Sequence, residues 1–217
     1  MNIDIRFKQE FSVDKETTKI IDSFGLSNIK EHVIVTNFEL NIELKKIYYI
    51  SGYSGSGKSQ ILRKINENLE KLYDVIYIVK WDRLKIPNKS LIEFFRNISS
   101  DERLSILSKC GLGEAWKFVS LYNDLSDGEK FRFILYKSIM DLRDKPNPVL
   151  IFDEFAATLD RITAKAIANN ISRLRDKFGI TFILASAHDD LIDYLNADVV
   201  IFKEFDESVT VENNKDK

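Results

Sequence analysis

GYSGSGKS, residues 52–59, follows the apolar run IYYI (47–50) and opens a stretch whose apolar residues recur at helical spacing. The pattern G-x-x-x-x-G-K-[ST] between a strand and a helix is a phosphate cradle. Gly52, Gly55 and Gly57 let the backbone bend so that successive N–H groups converge on an anion, and the helix N-terminus adds its partial positive charge. Lys58 then reaches the β- and γ-phosphates of a nucleotide, and the Ser59 hydroxyl suits Mg²⁺. Tyr53, Ser54, Ser56 and Gln60 complete the loop and the helix start. The bland alternative is a glycine-rich turn with a chance lysine; flanks and spacing together weigh against it.

Around this loop, short β-branched runs recur: VIYIV (75–79), VLIF (149–152), TFILA (181–185) and VVIF (199–202). Unbroken apolar runs suit strands buried on both faces, as in a mostly parallel sheet. Helical patterns separate them. Ile61, Leu62, Ile65, Leu69 and Leu72 share one face, as do Ile167, Ile171, Leu174 and Phe178 ahead of Gly179. This is an α/β fold with crossover connections. HVIVTNFELNIELKK (32–46) alternates in part and predicts antiparallel strands near the N-terminus. Residues 85–124 lack a strand signal and predict two or three short helices, and about 85–130 reads as a helical subdomain inside a single domain spanning 1–217. The polar tail ESVTVENNKDK predicts a frayed end.

Composition narrows the function. With 44% hydrophobic and 30% charged residues the chain has a globular balance, and 32 basic against 34 acidic residues leave no global nucleic-acid footprint. A single cysteine, Cys110, excludes an intramolecular disulfide and suits a reducing compartment. The N-terminus is charged from its fourth residue, unlike a signal peptide, and no apolar run approaches the ~20 residues of a membrane span. The expected location is the cytoplasm.

NPVLIFDEF (147–155) is an apolar strand ending in two acids. Strand C-termini are where open α/β sheets bind ligands, so these carboxylates should face the phosphate loop. Asp153 suits Mg²⁺, and Glu154 is placed to polarise the attacking water. TFILASAHDD ends a neighbouring run in His188, which could donate to the γ-phosphate. Each has a bland reading, a strand-ending turn or a solvated histidine, and the company of the phosphate loop argues otherwise. Trp81 and Trp116 read as packing residues, and Cys110 as buried.

GYSGSGKS, LSDGEK (125–130), VLIFDEF, ATLD and SAHDD, in this order, resemble an ATP-binding-cassette (ABC) ATPase domain, a P-loop NTPase. The resemblance implies ATP and Mg²⁺ as cofactors and hydrolysis in a head-to-tail homodimer formed with ATP bound. It places Ser126, Gly128 and Glu129 in the signature motif, facing the partner's phosphates. Acids at Asp127 and Glu129 replace the usual glycine and glutamine. Asp160 falls in the D-loop, His188 becomes the switch histidine, and Phe24 stands near the position of an adenine-stacking aromatic, though it reads equally as a core residue before a helix stop. Glu154, His188 and Lys58 carry the catalytic roles.

Two departures bear on the partner. No glutamine follows the second run, where VIYIVKWDRLKI stands, and the helical insert is short. Both make membrane subunits unlikely partners and a transporter's ATP-binding subunit the alternative. GLGEAWKFVSLYNDLSDGEKFRF and IFDEFAATLDRITAKAIANNI more narrowly resemble the ABC domain of a prokaryotic family fused to an acetyltransferase-like domain. That implies a stand-alone ATPase driving a separate acetyltransferase-like protein, with nucleic acid an open but undemonstrated target.

Overall fold

A computed structural model describes residues 1–8, 14–25 and 31–214. Among the described residues there are eight strands: β1 (Asn2–Lys8), β2 (Glu31–Glu39), β3 (Ile47–Gly52), β4 (Asp74–Ile78), β5 (Pro148–Phe152), β6 (Thr181–Ala185), β7 (Val199–Lys203) and β8 (Val209–Asn213). The helices are α1 (Lys15–Ser23), α2 (Lys58–Leu69), α3 (Ser100–Lys109), α4 (Ala115–Val119), α5 (Asp127–Leu142), α6 (Arg161–Phe178) and α7 (Ile192–Leu195).

The main sheet has the order β4-β5-β6-β3-β7-β8, parallel throughout except for the edge strand β8. All five apolar runs are strands within it, with β5 and β6 fully buried. The order has a functional consequence. Strands β5, β6 and β3 are neighbours, so the segments leaving their C-terminal ends, after Phe152, Ala185 and Gly52, meet at one edge of the sheet.

The helices bury the faces that their spacing predicts. In α2, Ile61, Leu62, Ile65 and Leu69 are buried, as are Ile167, Ile171 and Leu174 of α6. Gly179 closes α6 in the left-handed conformation, φ 65°. Leu72 falls outside the pattern because α2 ends at Leu69, and it is exposed. Between β4 and α5 only short helices occur: α3, α4 and 3₁₀ turns at Trp81–Arg83, Leu91–Glu93 and Tyr122–Asp124. Among the described residues, no helix is long and apolar enough to cross a membrane.

The expected antiparallel strands near the N-terminus are β1 and β2, which pair with each other. Two local expectations change. The tail does not fray from its start, since Val209–Asn213 pairs with β7. Trp81 is buried, but Trp116 on α4 is 81% exposed, because none of that five-residue helix is fully buried.

Candidate functional site

Beyond β3 the chain turns through Gly52–Gly57 into α2. Gly57 is the N-cap, with φ 104° and no side-chain cap, so the first N–H groups of α2 are left to an incoming acceptor. A Cβ on Gly57 would come within 2.4 Å of Ile34 Cγ2, so only glycine lets β2 lie this close over the loop. Lys58 Nζ donates to the carbonyls of Gly52 (2.6 Å) and Tyr53 (2.7 Å). Burial lowers the Lys58 pKa, and the nearby Asp153 and Glu154 charges oppose that shift.

The segment after β5 folds back over this loop. Asp153 is buried; its N–H donates to Ile78 O (2.8 Å), and its Oδ1 accepts the Glu154 N–H (2.9 Å). Phe155 N–H donates to Ala185 O (2.8 Å), pinning the turn to β6. Glu154 and Ala156 both take positive φ, 51° and 59°, where side chains other than glycine are strained. The Glu154 side chain is exposed and lines the same cavity as Lys58.

The cavity has a volume of about 520 Å³. Its lining includes Ser54, Gly55, Gly57, Lys58, Ser59 and Gln60 from the loop and α2. Asp153 and Glu154 face them from behind β5, and His188 from behind β6. Ser56 is buried beside it with no hydrogen-bond partner for its hydroxyl among the described residues. An uncapped helix N-terminus, an orphaned hydroxyl and a lysine held only by carbonyls fit a phosphate chain. Ser59 and Asp153 supply the hard oxygen donors that Mg²⁺ prefers.

Other expected residues stand elsewhere. Ser126 N-caps α5 through a capping box with Glu129, and Gly128 packs on the segment before α6, where an added Cβ would sit 3.2 Å from Leu159 Cδ2. Asp160 N-caps α6, accepting the Thr163 N–H at 2.9 Å. Ser126, Gly128, Glu129 and Asp160 do not line the cavity of their own chain. Nor does Phe24, which caps the C-terminal end of α1 and is 76% exposed. Tyr53 points outward and stacks on Phe205, centroids 4.8 Å apart.

Sequence reasoning missed several neighbours of the site. Ile34 roofs Gly57, and Tyr77 donates from β4 to Ser59 O at 3.5 Å, its phenol pushed up to about 12 mainly by burial. Both lie in apolar stretches that carry no local signal. Lys117, Arg161 and Asp190 form ion pairs whose partners only the fold brings together.

No family model matches the chain. Phosphonates import ATP-binding protein PhnC from Staphylococcus aureus (strain USA300) is 26% identical, covering 70% of this chain and 73% of its own. Among solved structures, the dimeric bacterial ABC transporter cassette MJ0796 superposes with a TM-score of 0.64 at 19% identity, covering 87% of this chain and 94% of its own. A post-hydrolysis dimer of the same cassette with ADP and Pi gives 0.65 at 18% identity, covering 100% of each chain. The cbiO1 protein of Clostridium perfringens, part of the ABC transporter complex cbiONQ, gives 0.60 at 19% identity, covering 84% and 82%. In fold and motif order the chain is similar to ABC-type ATPase cassettes, and these relatives support ATP hydrolysis with ATP and Mg²⁺ as cofactors. The expectation that membrane subunits are unlikely partners is overturned, since these relatives are transporter ATP-binding proteins. The acetyltransferase-like partner and a nucleic-acid target find no support in these relatives.

Proposed function

We propose that this chain is the ATP-binding subunit of a membrane transporter, working as a head-to-tail dimer of cassettes. The observation that supports this best is the split of the motif residues. The phosphate loop, Asp153, Glu154 and His188 gather round one cavity, while Ser126, Gly128 and Asp160 stand outside it. A second cassette facing the first would bring those residues to the open side of the cavity. The whole chain then acts as one cassette, with about 85–130 as its helical part.

Within that arrangement, Lys58 and the free N–H groups at the start of α2 hold the β- and γ-phosphates. Ser59 and Asp153 would hold Mg²⁺, which when bound neutralises charge on the phosphate oxygens. Glu154 orients the attacking water and accepts its proton, and His188 donates to the γ-phosphate. Ser126 and the Gly128 N–H of the facing chain reach the same phosphate. Only ATP offers this bridge, so ATP favours the closed dimer and ADP releases it. Membrane subunits would couple near Trp81, where Trp81, Asp82, Leu84, Tyr122 and Lys130 line a groove of about 390 Å³ on the side of the molecule that follows β4.

The test is an affinity pull-down of Glu154→Gln from detergent-solubilised membranes with Mg-ATP. Recovery of a multi-spanning membrane protein, lost when Mg-ATP is omitted, is the expected result. Recovery of soluble proteins alone would overturn the transporter reading.

A further inference from the structure

Besides the buried Leu191, two polar contacts tie the loop that carries His188 to its surroundings. From below, the hydroxyl of Tyr49, a fully buried residue of β3, donates to the His188 carbonyl. On the outer side, Asp190 receives both Nε (3.2 Å) and Nη2 of Arg161, and Lys165 Nζ lies 3.4 Å from the same carboxylate. Arg161 is the first residue of α6 and follows Asp160 directly, so the pair joins the Ala157–Asp160 segment to the histidine loop. The Arg161 and Asp190 side chains are 37% and 40% exposed. An ion pair this exposed adds little to global stability. Its position between two loops of one site is what distinguishes it from other surface pairs.

We propose that Arg161 and Asp190 are positioning residues for ATP hydrolysis: their two-pronged pair sets His188 against the γ-phosphate and lets the segment ending at Asp160 report on that setting. This rests on the reading of His188 as the γ-phosphate donor. Tyr49 fixes the backbone at His188 itself, buried Leu191 anchors the turn beyond it, and Asp190 is the side chain between them that ties this loop to α6. Arg161 supplies that second hold through α6, which is 18 residues long and packed by five buried side chains. The pair thereby couples the position of the histidine loop to the start of α6.

The test compares Arg161→Met, Asp190→Asn, the double variant and His188→Ala, each for kcat and for binding of a fluorescent ATP analogue. The expected result is a fall in kcat of about tenfold or more in both single variants, as misplacement of a reacting group produces. The analogue should bind within about twofold of wild type, which also reports an intact fold. The double variant should lose no more than Asp190→Asn, because the two side chains act through one contact. Unchanged kcat in either single variant, or losses that multiply in the double, would overturn the proposal. Full activity in His188→Ala would instead remove the reading of His188 on which it rests.

Discussion

Lys117 Nζ lies 2.6 Å from Glu129 Oε1, while Oε2 of the same carboxylate accepts the Ser126 N–H and hydroxyl, each at 2.9 Å. Burial disfavours the charge on Glu129, but the bonds from Lys117 and Ser126 outweigh it and hold the pKa below the ordinary 4.5. Glu129 is therefore ionised at neutral pH, at the helix end that would face a γ-phosphate. Lys117, brought in by α4, masks that charge. Removing either partner should shift ATP-driven closure in opposite directions. In a Glu154→Gln background, Glu129→Gln should lower the Mg-ATP concentration for dimerisation about threefold to tenfold, and Lys117→Met should raise it similarly, with both effects shrinking in salt. Sizing by light scattering measures this. A shift in the same direction for both variants would reduce the pair to a structural brace.

Ser126 is the second test of the head-to-tail arrangement. Ser126→Arg removes the α5 cap, at a cost of about 1 kcal/mol, and places a long side chain where two cassettes would meet. Nucleotide binding to the isolated chain should stay within about twofold, because Ser126 does not line the cavity of its own chain. Dimerisation and phosphate release should both be lost. Unchanged turnover would leave LSDGEK as a helix cap alone.

Gly52 ends β3 with φ 139°, and an added Cβ would come within 2.1 Å of the backbone oxygen of Lys203 on β7. That neighbour is a strand carbonyl and cannot rotate away. Gly52→Ala should therefore cost about 2–4 kcal/mol, combining backbone strain with a clash between two parallel strands. Urea unfolding gives the value. A midpoint within error of wild type would mean that β7 yields more readily than its pairing suggests.

The buried strands and the phosphate loop were legible because their signals are local. GYSGSGKS needs only its flanking strand and helix, and an unbroken run such as VLIF declares burial on both faces. Asp153, Glu154 and His188 were legible for a related reason, since each follows a strand whose C-terminal end must face the loop. The pairing of β1 with β2 was not, because it joins segments separated by more than twenty residues and β1 alone has no distinctive pattern. Trp116 misled because a large aromatic is usually buried, whereas a five-residue helix has too few turns to bury its whole circumference. Ion pairs such as Lys117 with Glu129 join half-buried charges from separate elements, and composition carries no information about which charges meet.

Asp198 offers a prediction about the scaffold beneath the site. From the turn before β7, its carboxylate accepts the Ile47 N–H at 2.8 Å, Lys46 Nζ at 2.9 Å and Arg175 Nη1 at 3.0 Å. It thus joins β3, the strand that delivers the phosphate loop, to the end of α6. Burial opposes its charge, but the Ile47 and Lys46 bonds prevail and hold its pKa below the ordinary 3.8. A depressed folded pKa means that the contribution is fully present above 3.8 and disappears as pH falls through the folded value. Asp198→Asn should then destabilise by about 2 kcal/mol at neutral pH, since three charge-assisted bonds are weakened together. The gap between variant and wild type should narrow as acid protonates Asp198. Urea midpoints at neutral pH and at about pH 3 measure both quantities. A gap that stays constant across that range would assign the loss to packing rather than to the ionised carboxylate.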